Sequence, residues 1–431
     1  MKILWITNIL MPAISKEIGV KTSVFGGWMA SSAKHLPEYD GVDLAIATVY
    51  DGDKLMQKKI GGILYYLLPF KGKRTKYNHS LEQYWKQVHN EYNPDVVHVH
   101  GSEYPYGLAY VKACGNKNVV VSIQGMTSVY AKHYYADISK VEILKNITLS
   151  DLLIGHTIIG GHREFVKRGC IEIELLQKVQ HVIGRTTWDK IHTENINEKV
   201  QYHFCNETLR MVFYTNKWTY NKCDKHTIFI PQASYPIKGL HKMLDALYIV
   251  KCRYPDVKLH VAGANIIKHR TVKEKLALSG YGKLILKKIK KMHLEEEVSF
   301  TGLLNDEEMK REYLKANVFV CPSSIENSPN SLGEAQLLGT PCIAAYVGGV
   351  PDMVQHGKTG YIYRFEDAVM LASYICQVFE MEEKIEHISY NGVETAVIRH
   401  DGKKNNERLI EIYRKIACGS TGTYINNTLR I

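Results

Sequence analysis

Short β-branched runs alternate with amphipathic segments along the whole chain. In the first half, apolar runs that read as strands lie at residues 2–9, 42–49, 62–68, 96–100, 119–123 and 181–183. Apolar positions recur at helical spacing between them, as at 28–36, 81–91 and 106–113. The second half repeats the pattern, with strands expected at 227–230, 258–262, 298–300, 318–321, 342–345 and 360–363 and helices at 238–254 and 307–316. Such alternation predicts parallel sheets covered by helices on both faces, an α/β class. It restarts near residue 225, after a polar stretch at 216–225 that reads as a linker. The pattern therefore predicts two doubly wound domains, 1–218 and 219–399. A last amphipathic helix falls within 400–418, with a return to the first domain as its expected packing, and 419–431 reads as a disordered tail. In doubly wound sheets ligands sit beyond the carboxyl ends of the strands, so two such domains face each other across a cleft.

The chain has 431 residues, too many for one ordinary core, and its 45% hydrophobic and 23% charged residues suit a globular protein. A formal charge of +11 favours anionic partners such as nucleotides, phospholipid head groups or nucleic acid, or else only aids solubility. The nine cysteines, with no C-x-x-C pair and no metal-ligand spacing, point to a reducing compartment, so we expect neither a zinc site nor a disulfide framework. The start, MKILWITNILMPAIS, superficially resembles a signal peptide, but Thr7 and Asn8 interrupt the apolar run and favour a buried strand. No 18-residue apolar stretch suggests a membrane span.

The stretch from Ser323 to Pro351, SSIENSPNSLGEAQLLGTPCIAAYVGGVP, carries the most chemistry. It places Glu326 and Glu334 on either side of a helix start, with Ser328 as expected N-cap, Pro329 at the first helical position, and Gly339 with Pro341 at the end. A helix start offers free N–H groups and a positive dipole end to a phosphate. Glu334 lies about six residues in, roughly 8–9 Å along the axis at ~1.5 Å per residue. A diphosphate at the helix start would thus have a carboxylate at each end, and ionised carboxylates accept hydrogen bonds from sugar hydroxyls. A nucleotide-sugar, with ribose, diphosphate and hexose in a row, has this layout.

Ser323, Glu326, Glu334-Ala335, Gly339-Thr340-Pro341, Gly348-Gly349-Val350-Pro351 and His356-Gly357-Lys358-Thr359-Gly360 form an ordered set. That set resembles the retaining nucleotide-sugar glycosyltransferases of glycosyltransferase family 4, which adopt the GT-B fold. The resemblance is strong from about residue 231 to 363 and covers nearly the whole chain more weakly. It implies two Rossmann-like domains and transfer of a sugar to a saccharide or lipid-linked saccharide acceptor. No Asp-x-Asp metal site lies near the motif, so no metal or other cofactor is expected. The resemblance also implies that Glu326 contacts the donor sugar, Glu334 the ribose, and the backbone N–H groups of Asn330, Ser331 and Leu332 the diphosphate. Lys238, in Tyr235-Pro236-Ile237-Lys238-Gly239-Leu240, matches a family lysine that pairs with the diphosphate. Gly26 and Gly27 match a loop that nears the donor phosphate and the acceptor.

Two positions depart from the family pattern. Ala233 stands where an arginine is common, and Arg185 is the substitute cation considered for it. Gln124 stands where many members have histidine, and an amide cannot serve as a base. Glu103, in the loop after residues 96–100, is a candidate acceptor ligand or an exposed loop carboxylate. Cysteine usage suits the cytoplasm, and charge together with the resemblance suggests peripheral attachment on the inner face of the plasma membrane, with cell-surface polysaccharide synthesis as the setting.

A basic, aromatic-flanked segment at 65–77 offers a peripheral contact with anionic lipid, and the basic amphipathic stretch 283–291 reads as a surface helix. Other readings stay open at this point: a GT-B nucleotide-sugar binder without transfer, an epimerase or phosphorylase of the same fold, and a nucleic-acid binder. The last is suggested only by the pI of 9.0, and no recognition module accompanies it, so no specific nucleic acid is expected.

Overall fold

The computed structural model describes residues 1–21, 27–154, 157–269 and 271–419. The chain builds two sheets. The first holds β1 (Lys2–Ile6), β2 (Asp43–Tyr50), β3 (Met56–Ile60), β4 (Ile63–Pro69), β5 (Val96–His100), β6 (Val119–Ser122), β7 (His181–Gly184) and β8 (Gln201–Phe204). Their spatial order is β3-β4-β2-β1-β5-β6-β7-β8. The second holds β9 (Asp224–Ile230), β10 (Lys258–Ala262), β11 (Val298–Gly302), β12 (Ala316–Cys321), β13 (Cys342–Ala345) and β14 (Tyr361–Tyr363), in the order β11-β10-β9-β12-β13-β14. Every pairing is parallel except that of β3 with β4. Central strands such as β5 and β12 are buried at every residue, as expected of parallel strands with helices on both faces.

β3 and β8 are absent from the sequence reading. β3 (MQKKI) is a polar, largely exposed edge strand, and β8 (QYHF) is short and polar, so neither carries an apolar run. The domain boundary also differs from one after residue 218. Leu209, Phe213 and Trp218 pack into the second domain's core, and Trp218 Nε1 donates to the carbonyl of Ala316 at 2.7 Å. The chain therefore changes domain soon after β8.

It also passes between the domains at two other places. Between β6 and β7 a long helical excursion leaves the first sheet, and its Tyr134, Ala136, Ile138, Ile143 and Ile158 join the second core. His241 of the second domain contacts the carbonyl of Ala136 through Nε2 at 2.7 Å, and Ser324 Oγ donates to that of His133 at 3.1 Å. The helix Gly402–Ala417 returns to the first sheet, where the Tyr413 hydroxyl accepts from Trp5 Nε1 at 2.9 Å and contacts His98 Nδ1 at 2.5 Å. Residues 420–431 of the expected tail lie outside the described residues. No helix among the described residues is long and apolar enough to cross a membrane.

Candidate active site

The carboxyl end of β12 runs into a buried loop, residues 322–329, and then the helix Asn330–Leu338. The helix begins one residue later than the sequence suggested. Pro329 is the N-cap rather than the first helical residue, and Ser328 makes no cap bond. Its hydroxyl is taken instead by Met353 Sδ at 3.6 Å and Arg399 Nη2 at 3.2 Å. Gly339 closes the helix at φ 81°, the left-handed conformation glycine adopts without a Cβ clash. The N–H of Leu332 already donates to the Pro329 carbonyl at 3.0 Å, and Leu332 itself is buried. Of the three N–H groups expected to face a diphosphate, that of Leu332 is thus already engaged within the helix.

Glu326 sits in that loop. Its Oε1 accepts from Ser323 Oγ at 2.7 Å and from Lys238 Nζ at 2.6 Å. Lys238 is brought there by backbone: Pro236–Lys238 is a tight turn after β9, and Ser324 N–H donates to the Ile237 carbonyl at 2.8 Å. The next residue, Gly239, has φ +72°, and a Cβ there would lie 1.7 Å from the Pro322 carbonyl oxygen. The Lys-Gly pair thus lets two loops touch. Burial opposes the Lys238 charge, but Glu326 outweighs it and holds the lysine above its ordinary range. Gly348 and Gly349 lie against the same loop. A Cβ on Gly348 would come within 1.8 Å of the Glu326 carbonyl, and one on Gly349 within 2.3 Å of that of Asn327. The double glycine lets β13's following turn clamp the Glu326 backbone.

Glu334 lies one turn into the helix, and it too is buried. Burial pushes its carboxyl up, while Arg210 and Tyr313 pull it back. Arg210 donates to Oε1 through Nη2 at 2.6 Å and Nε at 3.1 Å, and the Tyr313 hydroxyl donates to Oε2 at 3.2 Å. Arg210 also pairs with Asp306. The sequence reading missed both partners: residues 205–215 have no periodicity to mark an arginine, and nothing in the helix expected at 307–316 singles out Tyr313. Arg210 lines a cavity of about 240 Å³ with Gln232, Ala233, Ala262, Gly263 and Phe300, at the carboxyl ends of β9, β10 and β11.

Arg185, considered as the substitute cation, is already engaged within the first domain. Its guanidinium is buried and pairs with Glu207, and Nη2 reaches the carbonyls of Ile123 at 3.3 Å and Gln124 at 3.1 Å. Its charge is spent on bracing the loop after β6. It is linked to the donor-side helix through Glu207, whose carboxyl also hydrogen-bonds the Asn330 side chain.

The first domain brings Gln124, Gly125 and Tyr130 to the cleft. Gln124 Nε2 is buried and has no hydrogen-bond partner among the described residues. Tyr130, not foreseen from sequence, stands near Glu326 and Lys238; burial above all holds its phenol well above the ordinary range. The loop carrying these residues is fixed by the buried Glu172. Its carboxylate accepts from Ser102 Oγ at 2.7 Å, Thr127 N–H at 3.1 Å, Ser128 N–H at 2.9 Å and Ser128 Oγ at 2.6 Å. Gly27 opens the helix Gly27–His35, whereas Gly26 lies outside the described residues.

Glu103 follows β5. Oε1 accepts from Asn8 Nδ2 at 3.0 Å, and Oε2 is buried without a partner among the described residues. It is thus not the solvated loop carboxylate considered above. Burial, only partly offset by Arg168, pushes its carboxyl up to about 7. A raised carboxyl contributes stability that is complete below its ordinary pKa near 4.5 and is lost as pH rises through about 7. Urea titrations of the wild type should show this loss between pH 5 and 8. Glu103→Gln, which cannot ionise, should remove it, so the variant gains on the wild type as pH rises. Parallel pH profiles for the two proteins would contradict the assignment.

Residues 214–395 match the family model described as Glycosyl transferases group 1. N-acetyl-alpha-D-glucosaminyl L-malate synthase of Bacillus anthracis is 33% identical over 115 residues, which is 26% of this chain and 30% of that protein. The capsular polysaccharide biosynthesis glycosyltransferase CapM of Staphylococcus aureus is 30% identical over 157 residues, 36% of this chain and 37% of that protein. The chain thus spans about a third of the length of these relatives. Among solved structures, sucrose-phosphate synthase from Thermosynechococcus elongatus superposes with a TM-score of 0.69 at 14% identity, covering 97% of this chain and 100% of that one. Anabaena Alr3699/HepE in complex with UDP-glucose gives 0.65 at 16% identity, covering 96% and 99%. With two parallel Rossmann-like sheets facing each other, the fold is GT-B.

Proposed function

We propose that the protein is a glycosyltransferase that moves a sugar from a nucleoside-diphosphate sugar to a saccharide or lipid-linked saccharide, with retention of anomeric configuration. One observation carries this reading: two buried carboxylates, each held by a cation, flank the start of one helix at the carboxyl edge of the second sheet. The match over residues 214–395 supports it, as does the UDP-glucose complex of a structural neighbour.

In this reading the nucleoside enters the cavity beside Arg210, and Glu334 accepts from the ribose hydroxyls. The diphosphate lies against the N–H groups of Asn330 and Ser331, and the sugar reaches Glu326. The bond between the anomeric carbon and the diphosphate oxygen breaks, and its electron pair leaves with the diphosphate. The acceptor oxygen bonds to the same face, and its proton passes to the departing phosphate oxygen. No side-chain base is then required, which suits Gln124. Lys238 and the helix dipole stabilise the charge that develops on the leaving group, with no metal or other cofactor. Gln124 Nε2 and Tyr130 are placed to orient the sugars, and Glu103 lies on the acceptor side. In this reading the reaction belongs to the cytoplasm, with surface-polysaccharide assembly as its setting, and a nucleotide-sugar donor and free cysteines support that.

A thermal-shift screen of nucleoside diphosphates and their sugars tests the reading, because a ligand that binds only the folded state raises Tm by mass action. At least one diphosphate should shift Tm, and its sugar form should yield a product of retained configuration by NMR. A screen without any shift would contradict it.

A further inference from the structure

Three short helices carry aliphatic side chains on their outer faces. In Leu149–Ile154 the outward residues are Leu149, Leu152 and Leu153, at 60%, 65% and 78% exposure. Their i, i+3, i+4 spacing makes them one stripe. Lys140–Lys145, just before it, buries Ile143 and exposes Val141 and Leu144. Val272–Ala277, from the second domain, packs beside Leu149–Ile154 and exposes Val272 and Leu276. These helices turn apolar stripes outward, the reverse of an ordinary surface helix. Adjacent exposed aliphatic stripes mark an interaction surface rather than scattered surface residues.

Cations border the ledge. Lys140 and Lys145 are exposed on the first helix. The helix Gly280–Lys291 packs against it and exposes Lys287, Lys290 and Lys291. Lys283 of that helix donates to the Ile147 carbonyl at 3.3 Å, which ties the lysine helix to the leucine ledge. The acids nearby are engaged: Glu142 by Ser139, Asp137 by Lys242 and Asp245 by Lys288, while Asp151 and Glu274 cap the starts of their own helices.

The sequence had pointed to residues 65–77 instead. There the structure buries Tyr65 and Phe70, and pairs Lys71 with Asp53 and Lys73 with Glu164. That segment keeps Arg74 and Lys76 exposed, but it buries most of its aromatics and engages its other two lysines, so it offers a bilayer less than the ledge does.

We infer that the leucine ledge and its lysine border dock on the surface of an anionic lipid bilayer, leucines in the interface and lysines on the head groups. Charge selects this occupant over a second copy of the chain. A two-fold interface would set lysine border against lysine border, whereas anionic lipid complements it. The ledge belongs to both domains, so docking would also hold the excursion and the second domain in one orientation.

Vesicle flotation tests this, with phosphatidylcholine alone or with added phosphatidylglycerol. The wild type should float with the anionic vesicles, less with the neutral ones, and less as salt rises. The triple variant Leu149→Glu/Leu152→Glu/Leu153→Glu should lose binding by roughly tenfold or more. Lys287→Glu/Lys290→Glu/Lys291→Glu should lose only the anionic preference, and Lys71→Glu/Lys73→Glu should behave as wild type. Wild-type flotation by the leucine variant would overturn the inference, as would a wild type that never floats. So would a concentration-dependent dimer in sedimentation that the leucine substitutions abolish. The donor-binding thermal shift should be unchanged in every variant, so failure here is distinguishable from failure of the proposed transfer activity.

Discussion

Replacing Glu326 by Gln, or Lys238 by Ala, is expected to lower kcat by about 10²–10³, the scale set by removing one preorganised charge-stabilising group. The two side chains meet at 2.6 Å in a nearly enclosed site, at 10% and 21% side-chain exposure. They act as one unit, so the double variant should be little worse than the worse single one. Glu326→Gln keeps the side chain's shape and its bond from Ser323, so a loss of turnover without a loss of Tm would be chemical. Lys238→Ala leaves Glu326 without its cation, and breaking a buried pair typically costs about 3–5 kcal/mol of stability. Kinetics at saturating donor, beside melting curves, separate the two effects. Near-normal kcat in both single variants, or losses that multiply in the double, would remove these residues from the reaction.

The second large effect is expected at Arg210. Arg210→Ala should raise KM for the donor roughly ten- to a hundred-fold, about 1.5–3 kcal/mol for hydrogen bonds to a charged group, with a smaller change in kcat. Arg210 grips Oε1 of Glu334 through two nitrogens, so it sets both the orientation and the charge of the carboxylate expected to read the ribose. Burial already pushes Glu334 up, and Arg210 is the main group opposing that push. Without it the carboxyl titrates in a still higher range. The donor-affinity defect should therefore be largest at low pH and partly recover as pH rises. Arg210→Lys keeps the charge but not the two-pronged grip, and should lie between. A defect that is flat with pH, or confined to kcat, would show that Arg210 does not act through Glu334.

Arg210 also shows where sequence reading ends. The strand–helix alternation and the second-domain motif with its glycines were legible, because burial periodicity and steric need write themselves into residue type. Gly348 and Gly349 are glycines because carbonyls of the Glu326 loop lie where a Cβ would be. Partner choice leaves no such mark. Ser328 reads as an N-cap, yet Arg399, seventy-one residues away, occupies its hydroxyl. Arg185 reads as a free cation after a strand, yet Glu207 neutralises it. Tyr130 and Arg210 sit in segments whose local pattern is uninformative, and long-range packing brings them to the cleft. The missed β3 and β8 have the same origin, since edge strands need no continuous apolar face.

The most direct test of the whole account is a crystal structure of the protein with a nucleoside diphosphate that shifts its Tm. The account predicts the two phosphates against the backbone of Asn330 and Ser331, within reach of Lys238, and ribose hydroxyls on Glu334. A nucleotide bound anywhere else, with Glu334 still turned wholly to Arg210 and Tyr313, would contradict it.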